Sequence, residues 1–231
     1  MTLTYVIAGV VVLLASIGGY IYASSVSKQN TSRLKKEQKA QLHQKTKVIQ
    51  RIGHALLAVS ILLFLAALMQ NARKYSIENL NYKAAIEVTQ DRNYGEGHTD
   101  SPVNYEMKFP TSGQHSPHDL KYGFYEEKPQ TEKLVHNMEH GDILIYYRTD
   151  LPEEQLKIVK RLTKFEKAGS GVLAVPSNDV PAEAGVWVTA WTKTLQLKAF
   201  DEKQIGTFIY ENINRGPEVI PPETRRGGGT M

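Results

Sequence analysis

The sequence predicts an α+β fold: two N-terminal transmembrane helices followed by a mixed-sheet extracytoplasmic domain with two main helices. Three observations predict it. Two long apolar runs without a charge lie in the first 71 residues. A strongly basic segment separates them. From residue 131 onward, β-branched and aromatic runs alternate with amphipathic ones in the order strand, helix, strand, strand, strand, helix.

The first run, Leu3–Tyr22, reads LTYVIAGVVVLLASIGGYIY. At about 1.5 Å rise per residue it is long enough for a hydrocarbon core of about 30 Å. The second, Ile52–Met69, reads IGHALLAVSILLFLAALM and is extended by Gln70 and Asn71. No Lys or Arg precedes the first run, which argues against a cleaved signal peptide. Two retained spans are expected, at residues 1–23 and 52–71. Between them, residues 24–51 carry Lys28, Arg33, Lys35, Lys36, Lys39, Lys45, Lys47 and Arg51 against a single acid, Glu37. The positive-inside rule makes this a cytoplasmic loop, despite Arg73 and Lys74 after the second span. The expected location is the cell membrane, spanned twice, with the C-terminal domain extracytoplasmic. The lipid bilayer is then the first partner.

The net charge of +4 suggests an acidic partner, but its distribution excludes nucleic acid. Of 28 basic and 24 acidic residues, eight and one fall in residues 24–51. The other 20 and 23 all lie in residues 72–231, which are therefore net −3. Phosphate binding needs positive charge clustered on the binding domain itself. The absence of cysteine removes disulfides, thiolate metal sites, dithiol redox chemistry and cysteine nucleophiles.

Residues 72–90 read as a stalk, 91–215 as the α+β domain, and 216–231 as a flexible tail ending in GGGTM. Asp142–Arg148 (DILIYYR) is a strand. Asp150 then opens a helix, with Glu153 completing a capping box and Leu151, Ile158, Leu162 and Phe165 as its apolar stripe. Gly169 and Gly171 end that helix. Gly171–Pro176 and Gly185–Thr192 are strands, and Leu195–Phe200 is a fourth, hairpin-paired to the third. Asp201 caps a last helix whose buried face is Ile205, Phe208, Ile209 and Ile213, with Gln204 completing the box and Phe200 set against Ile205 as a staple. A strand–helix–strand crossover followed by a hairpin makes a mixed sheet, an order similar to the second half of a thioredoxin-like layout.

Five of the seven histidines fall within residues 98–140: His98, His115, His118, His136 and His140. They sit among Gly, Pro and Ser, whose turns can bring imidazoles together. His136 and His140 are four apart and share a face whether the segment is helix or strand. If the segment is extended, Met138 joins their face and Glu139 points away; if it is a short helix from Thr131 to His140, ended by Gly141, Glu139 stays near them. Imidazoles with a carboxylate suit copper or zinc. Met138 and Met107 are candidate soft ligands for Cu(I). The alternative is that these histidines are structural. His136-x-x-Glu139-His140 also matches the inverted zincin pattern, in which both histidines hold zinc and Glu139 is the catalytic general base. Ser112 reads as a turn former rather than a nucleophile. Trp187 and Trp191 read as core.

The runs FPTSGQH at Phe109–His115, G-x-Y at Gly123–Tyr125, VHNMEHGDILIYY at Val135–Tyr147, TAW at Thr189–Trp191 and GPE at Gly216–Glu218 resemble the domain of unknown function 3105 family. The resemblance covers roughly residues 80–220. Phe109 stands where that family usually has Pro, and Met138 where it has Leu. The resemblance implies a membrane-anchored bacterial protein with an extracytoplasmic domain, and it maps shared polar positions onto His98, His115, His136, Glu139 and His140. It implies no particular reaction.

The expectation is an extracytoplasmic domain with a histidine-rich site for copper or zinc. Two alternatives stand beside it: an envelope interaction protein that binds no metal and pairs with another membrane or envelope protein, and a zinc-dependent hydrolase.

Overall fold

The computed structural model describes residues 2–28, 35–218 and 221. The middle of the basic loop and most of the C-terminal tail lie outside the described residues. The chain divides into two compact units, Met1–Lys74 and Tyr75–Met231.

The first unit is a pair of antiparallel helices, α1 (Thr2–Ser27) and α2 (Lys36–Lys74). Both are long and apolar enough to cross a membrane. Small residues let them approach. Gly9 lies under the Phe64 ring and Gly53 under the Tyr20 ring. The Ser16 hydroxyl donates to Gly53 O at 2.9 Å and the Ser60 hydroxyl to Gly9 O at 3.0 Å. Leu3, Leu14, Ile21, Leu62 and Leu68 stay exposed. The segment read as a loop is helical over much of its length: α1 runs to Ser27 and α2 begins at Lys36. The reason is composition, since KEQKAQLHQKTKVIQR is dense in strong helix formers and holds no Gly or Pro.

The second unit is a mixed six-stranded sheet in the order β1-β6-β5-β3-β4-β2. The strands are β1 (Glu87–Gln90), β2 (Gly123–Phe124), β3 (Ile143–Tyr147), β4 (Val172–Pro176), β5 (Val186–Ala190) and β6 (Lys193–Gln196). The helices are α3 (Thr131–Glu139), α4 (Glu153–Leu162) and α5 (Glu202–Asn212). Central β3 runs parallel to β4 and antiparallel to β5, with Ile145 opposite Ala174 and Val188. The α4 crossover joins the parallel pair, and β5 and β6 form the expected hairpin.

Strand alternation splits the apolar residues between two faces. Ile143, Ile145, Tyr147, Val172 and Ala174 pack with Val159 and Leu162 of α4 and Ile205, Phe208 and Ile209 of α5. Leu144, Tyr146, Leu173 and Val175 pack with Leu134, Val135 and Met138 of α3 and with Phe109, Trp187 and Trp191. The β3 strand is buried along its whole length because both faces are covered.

Several elements differ from expectation. Asp150 does not cap α4. Its carboxylate is held by the Arg148 guanidinium through two 2.7 Å bonds, so the helix begins after Pro152. It ends at Leu162, before the glycines. The fourth strand starts two residues early because a tight turn at Trp191 and Thr192 returns the chain at once. The expected stalk belongs to the domain: Ile77 and Leu80 enter the core, and β1 pairs with β6. The Tyr82 ring lies so close to Gly206 that a Cβ there would meet it at 2.6 Å. Asp201 caps α5 as expected, accepting from the amides of Lys203 and Gln204.

Candidate metal centre

Helix α3 turns its apolar side to the sheet and its polar side to the loops. Leu134, Val135 and Met138 pack in the core. His136, Glu139 and His140, at spacings of three and four, occupy the other side and are also buried. Gly141, at φ +82°, ends the helix.

The end of α3 is closed by distant chain. The carbonyl of Glu139 accepts from Glu218 N at 3.1 Å, and that of Gly141 from Asn214 N at 2.8 Å. The His140 carbonyl accepts from the Ser170 hydroxyl at 2.8 Å. These bonds satisfy acceptors that any helix terminus leaves open. Asn137 holds the loop beneath: its side chain donates to Leu120 O at 2.7 Å and to Asp142 at 2.6 Å, and accepts from Leu120 N at 2.9 Å.

The two remaining histidines arrive on adjacent loops. His115 N donates to Gly97 O at 2.9 Å, and Thr99 N donates to His115 O at 2.7 Å, so His98 and His115 lie side by side. The 109–115 loop is tied down at Thr111, whose hydroxyl bonds Asp91 at 3.1 Å, and at Ser112, whose hydroxyl accepts from Tyr94 N at 3.0 Å. Ser112 therefore shapes the loop. Gly113 adopts φ +115°, a conformation that favours glycine.

The result is a convergent group. One ligand atom from each of His98, His115, His136 and Glu139 lies within 4.8 Å of every other. Glu139 Oε2 is 3.0 Å from His115 Nε2, 3.5 Å from His98 Nε2 and 3.8 Å from His136 Nδ1. The His115 Nδ1–H donates to Gly113 O at 2.8 Å, which fixes the ring and turns Nε2 inward. His136 is completely buried, and neither of its ring nitrogens has a hydrogen bond. His98 is the exposed member, with 44% of its side chain accessible.

The electrostatics are those of a coupled buried set. Burial and the neighbouring His140 and His115 push the His136 pKa down to about 4, so this imidazole is neutral near pH 7. Burial also disfavours charge on His115, but its hydrogen bonds to the Glu139 carboxylate and the Gly113 carbonyl outweigh it and raise its pKa. For Glu139, burial pulls upward, and the bond to His115 with the surrounding imidazoles outweighs it, leaving the pKa lowered.

The donor set fits a borderline divalent ion. A tetrahedral ion with bonds of about 2.0–2.1 Å sets its ligands roughly 3.3 Å apart, within easy contraction of this group. Three nitrogens and an oxygen suit zinc or Cu²⁺.

A second group adjoins the first: Glu139, His140 and Glu218. His140 belongs there, although its ring is 4.3 Å from that of His136. His118 joins neither group. The Ser116 hydroxyl accepts its backbone N–H in a tight turn, and the side chain stays exposed on a surface pocket with Glu132 and Lys133. The methionines also stay out: Met138 is core, its sulfur accepting from the Thr189 hydroxyl, and Met107 lines a different pocket. The inverted zincin arrangement would put His136 and His140 on one ion with Glu139 beside it. Here Glu139 is itself among the four converging groups. Sequence reasoning missed Asp119 and Glu218. The only signal for Glu218 was its place in GPE.

A family model described as "Protein of unknown function (DUF3105)" matches residues 98–225, which include the whole cluster. The chain belongs to the DUF3105 family. No curated protein and no solved structure matches it. The segments that carry the resemblance to DUF3105 now have physical roles. In Phe109–His115, Phe109 is core, Thr111 and Ser112 anchor the loop, Gly113 turns it, and His115 enters the cluster. In His136–Asp142, two histidines and Glu139 form the site, while Asn137 and Asp142 brace it. Trp191 packs its ring against His115 at 6.1 Å.

Proposed function

We propose that this DUF3105 protein is membrane-anchored and that its extracytoplasmic domain binds zinc or Cu²⁺ through His98, His115, His136 and Glu139. The observation that carries the reading is His136: a fully buried imidazole with no hydrogen bond at either nitrogen, aimed into a group of two more imidazoles and a carboxylate. A buried polar group left without a partner costs about 1–3 kcal/mol, and a bound cation removes that cost. Because His136 is neutral near pH 7, it can offer a lone pair without first losing a proton. The bound ion would supply positive charge and Lewis acidity beside the accessible edge of His98. No sulfur enters the group, which favours Cu²⁺ over Cu(I). Membrane anchoring is supported by the two long apolar helices, and the outward orientation by the basic residues between them.

The test is metal content. The full-length chain, purified in detergent and loaded with zinc or Cu²⁺, should retain the ion near stoichiometrically after desalting, and His136→Ala should lose it. Absence of retained metal after both loadings would overturn the reading and leave the envelope-interaction alternative in its place.

A further inference from the structure

We propose that Glu139 is shared between two metal ions, the second held by His140 and Glu218, so that the domain carries a two-metal centre. This inference rests on the metal-binding reading above and extends it from one ion to two.

The geometry comes from the second group. Ligand atoms of Glu139, His140 and Glu218 lie within 4.8 Å of one another, and Glu139 is common to both groups. A carboxylate has two oxygens and four lone-pair directions, so a single Glu can serve two cations. The His136 and His140 rings, one from each group, have their centroids 4.3 Å apart.

His140 provides the independent observation. Its side chain is 1% exposed, and neither ring nitrogen has a hydrogen bond. Asp119 Oδ2 lies 3.4 Å from Nδ1 and Glu218 Oε2 lies 3.4 Å from Nε2. Each ring nitrogen therefore faces a carboxylate oxygen at a distance longer than its usual hydrogen bond, in a buried position. A cation seated between Nε2 and the Glu218 and Glu139 carboxylates would give that buried nitrogen a partner. The Asp119 side matches the carboxylate that orients a metal-bound imidazole from behind. That leaves Nε2, with Glu218 and Glu139, for the ion. His115 shows the same division, with its Nδ1 anchored on Gly113 O and its Nε2 turned inward.

Glu218 is placed for this role by its backbone. Its amide donates to Glu139 O at 3.1 Å, and Gly216 packs so closely on α3 that a Cβ there would collide with Glu139 O. The Glu218 carboxylate is 41% accessible and His98 is 44% accessible, so each ion has one solvent-facing ligand through which it can enter. The ligand class is a pair of divalent first-row cations bound by nitrogen and oxygen.

The experiment counts ions. Full-length protein in detergent is stripped with chelator, loaded with excess zinc or with excess Cu²⁺, desalted, and its metal per chain measured by mass spectrometry. The expected content is about two for the unmodified chain. It falls to about one in Glu218→Ala and in His140→Ala, and stays at two in the surface control His118→Ala. Glu218→Ala is the gentler variant, because the backbone amide of Glu218, not its side chain, closes the helix. A content of one in the unmodified chain, or of two retained in Glu218→Ala, overturns the two-metal centre and leaves the single site standing. A content of zero overturns both.

Discussion

Glu139 Oε2 lies 3.0 Å from His115 Nε2, with both side chains buried, joining the last turn of α3 to a loop 24 residues earlier. The contact closes that side of the group, and an ion bound as proposed would have to replace it. Glu139→Gln keeps the shape but removes the charge. Losing a direct ligand costs more than the 10–100-fold usual for an orienting partner, so affinity should fall at least about 100-fold. Competition against a coloured chelator measures it; an unchanged affinity would place Glu139 outside the ligand set.

The metal-free protein should be most stable near pH 6–7. His136 has a folded pKa of about 4, below its unfolded value of 6.5. As pH falls from about 6.5 to about 4, the unfolded chain takes up a proton that the folded one refuses, and stability drops by up to roughly 3 kcal/mol. The lowered pKa of Glu139 adds to the acid loss below its unfolded value of 4.5. His115, raised above 6.5, acts on the alkaline side: its contribution is complete below 6.5 and lost as pH rises through its folded value. Urea denaturation of chelator-treated protein between pH 4 and 9 should give a maximum in mid-range. A profile that rises steadily toward acid would contradict the assignment.

Gly216→Ala should destabilise the domain. The new Cβ would collide with Glu139 O and Gly141 N, both backbone atoms at the end of α3. A clash of this kind costs on the order of 2 kcal/mol or more, which for a domain of this size lowers Tm by about 5 °C or more. Thermal melting checks it. An unshifted Tm would mean that the 214–218 segment does not pack on the helix.

Asn137→Ala should loosen the 119–120 loop without altering any of the proposed ligands. It removes the bonds to Leu120 N–H and O and to the Asp142 carboxylate, at a cost of about 1–3 kcal/mol. The Leu120 amide should exchange hydrogen faster in the variant. Unchanged protection would show that the loop is held by other contacts.

Reporter fusions test the orientation. A fusion after residue 74 should be active only outside the cytoplasm, and one within residues 24–51 only inside. The reverse pattern would invert the proposed topology.

Much of this protein is written locally in its chain. The strand–helix–strand–strand–strand–helix order after residue 142 follows from side-chain periodicity, and Asp201 caps α5 because its carboxylate needs only its own neighbours. The shared face of His136 and His140 follows from their spacing of four, and Glu139 joins it because the segment is the helix α3. The capping box at Asp150 failed for a nonlocal reason: Arg148, positioned by β3, takes the carboxylate before the helix can use it.

The composition of the site was decided only in three dimensions. Histidine density marked residues 98–140, yet it could not separate His118, carried off by a Ser–Pro turn, from His115, which the 97–99 segment and the Thr111 and Ser112 bonds hold against α3. It had no means of finding Asp119 or Glu218, which reach His140 through a loop braced by Asn137 and a segment arriving 79 residues after the helix ends. The sequence by itself determined the apolar helices, the strand and helix order after residue 142 and the shared face of His136 and His140, because those depend on period and neighbours. The tertiary structure alone decided which imidazoles and carboxylates meet, because each meeting depends on loop closure and on close approach at glycines such as Gly216.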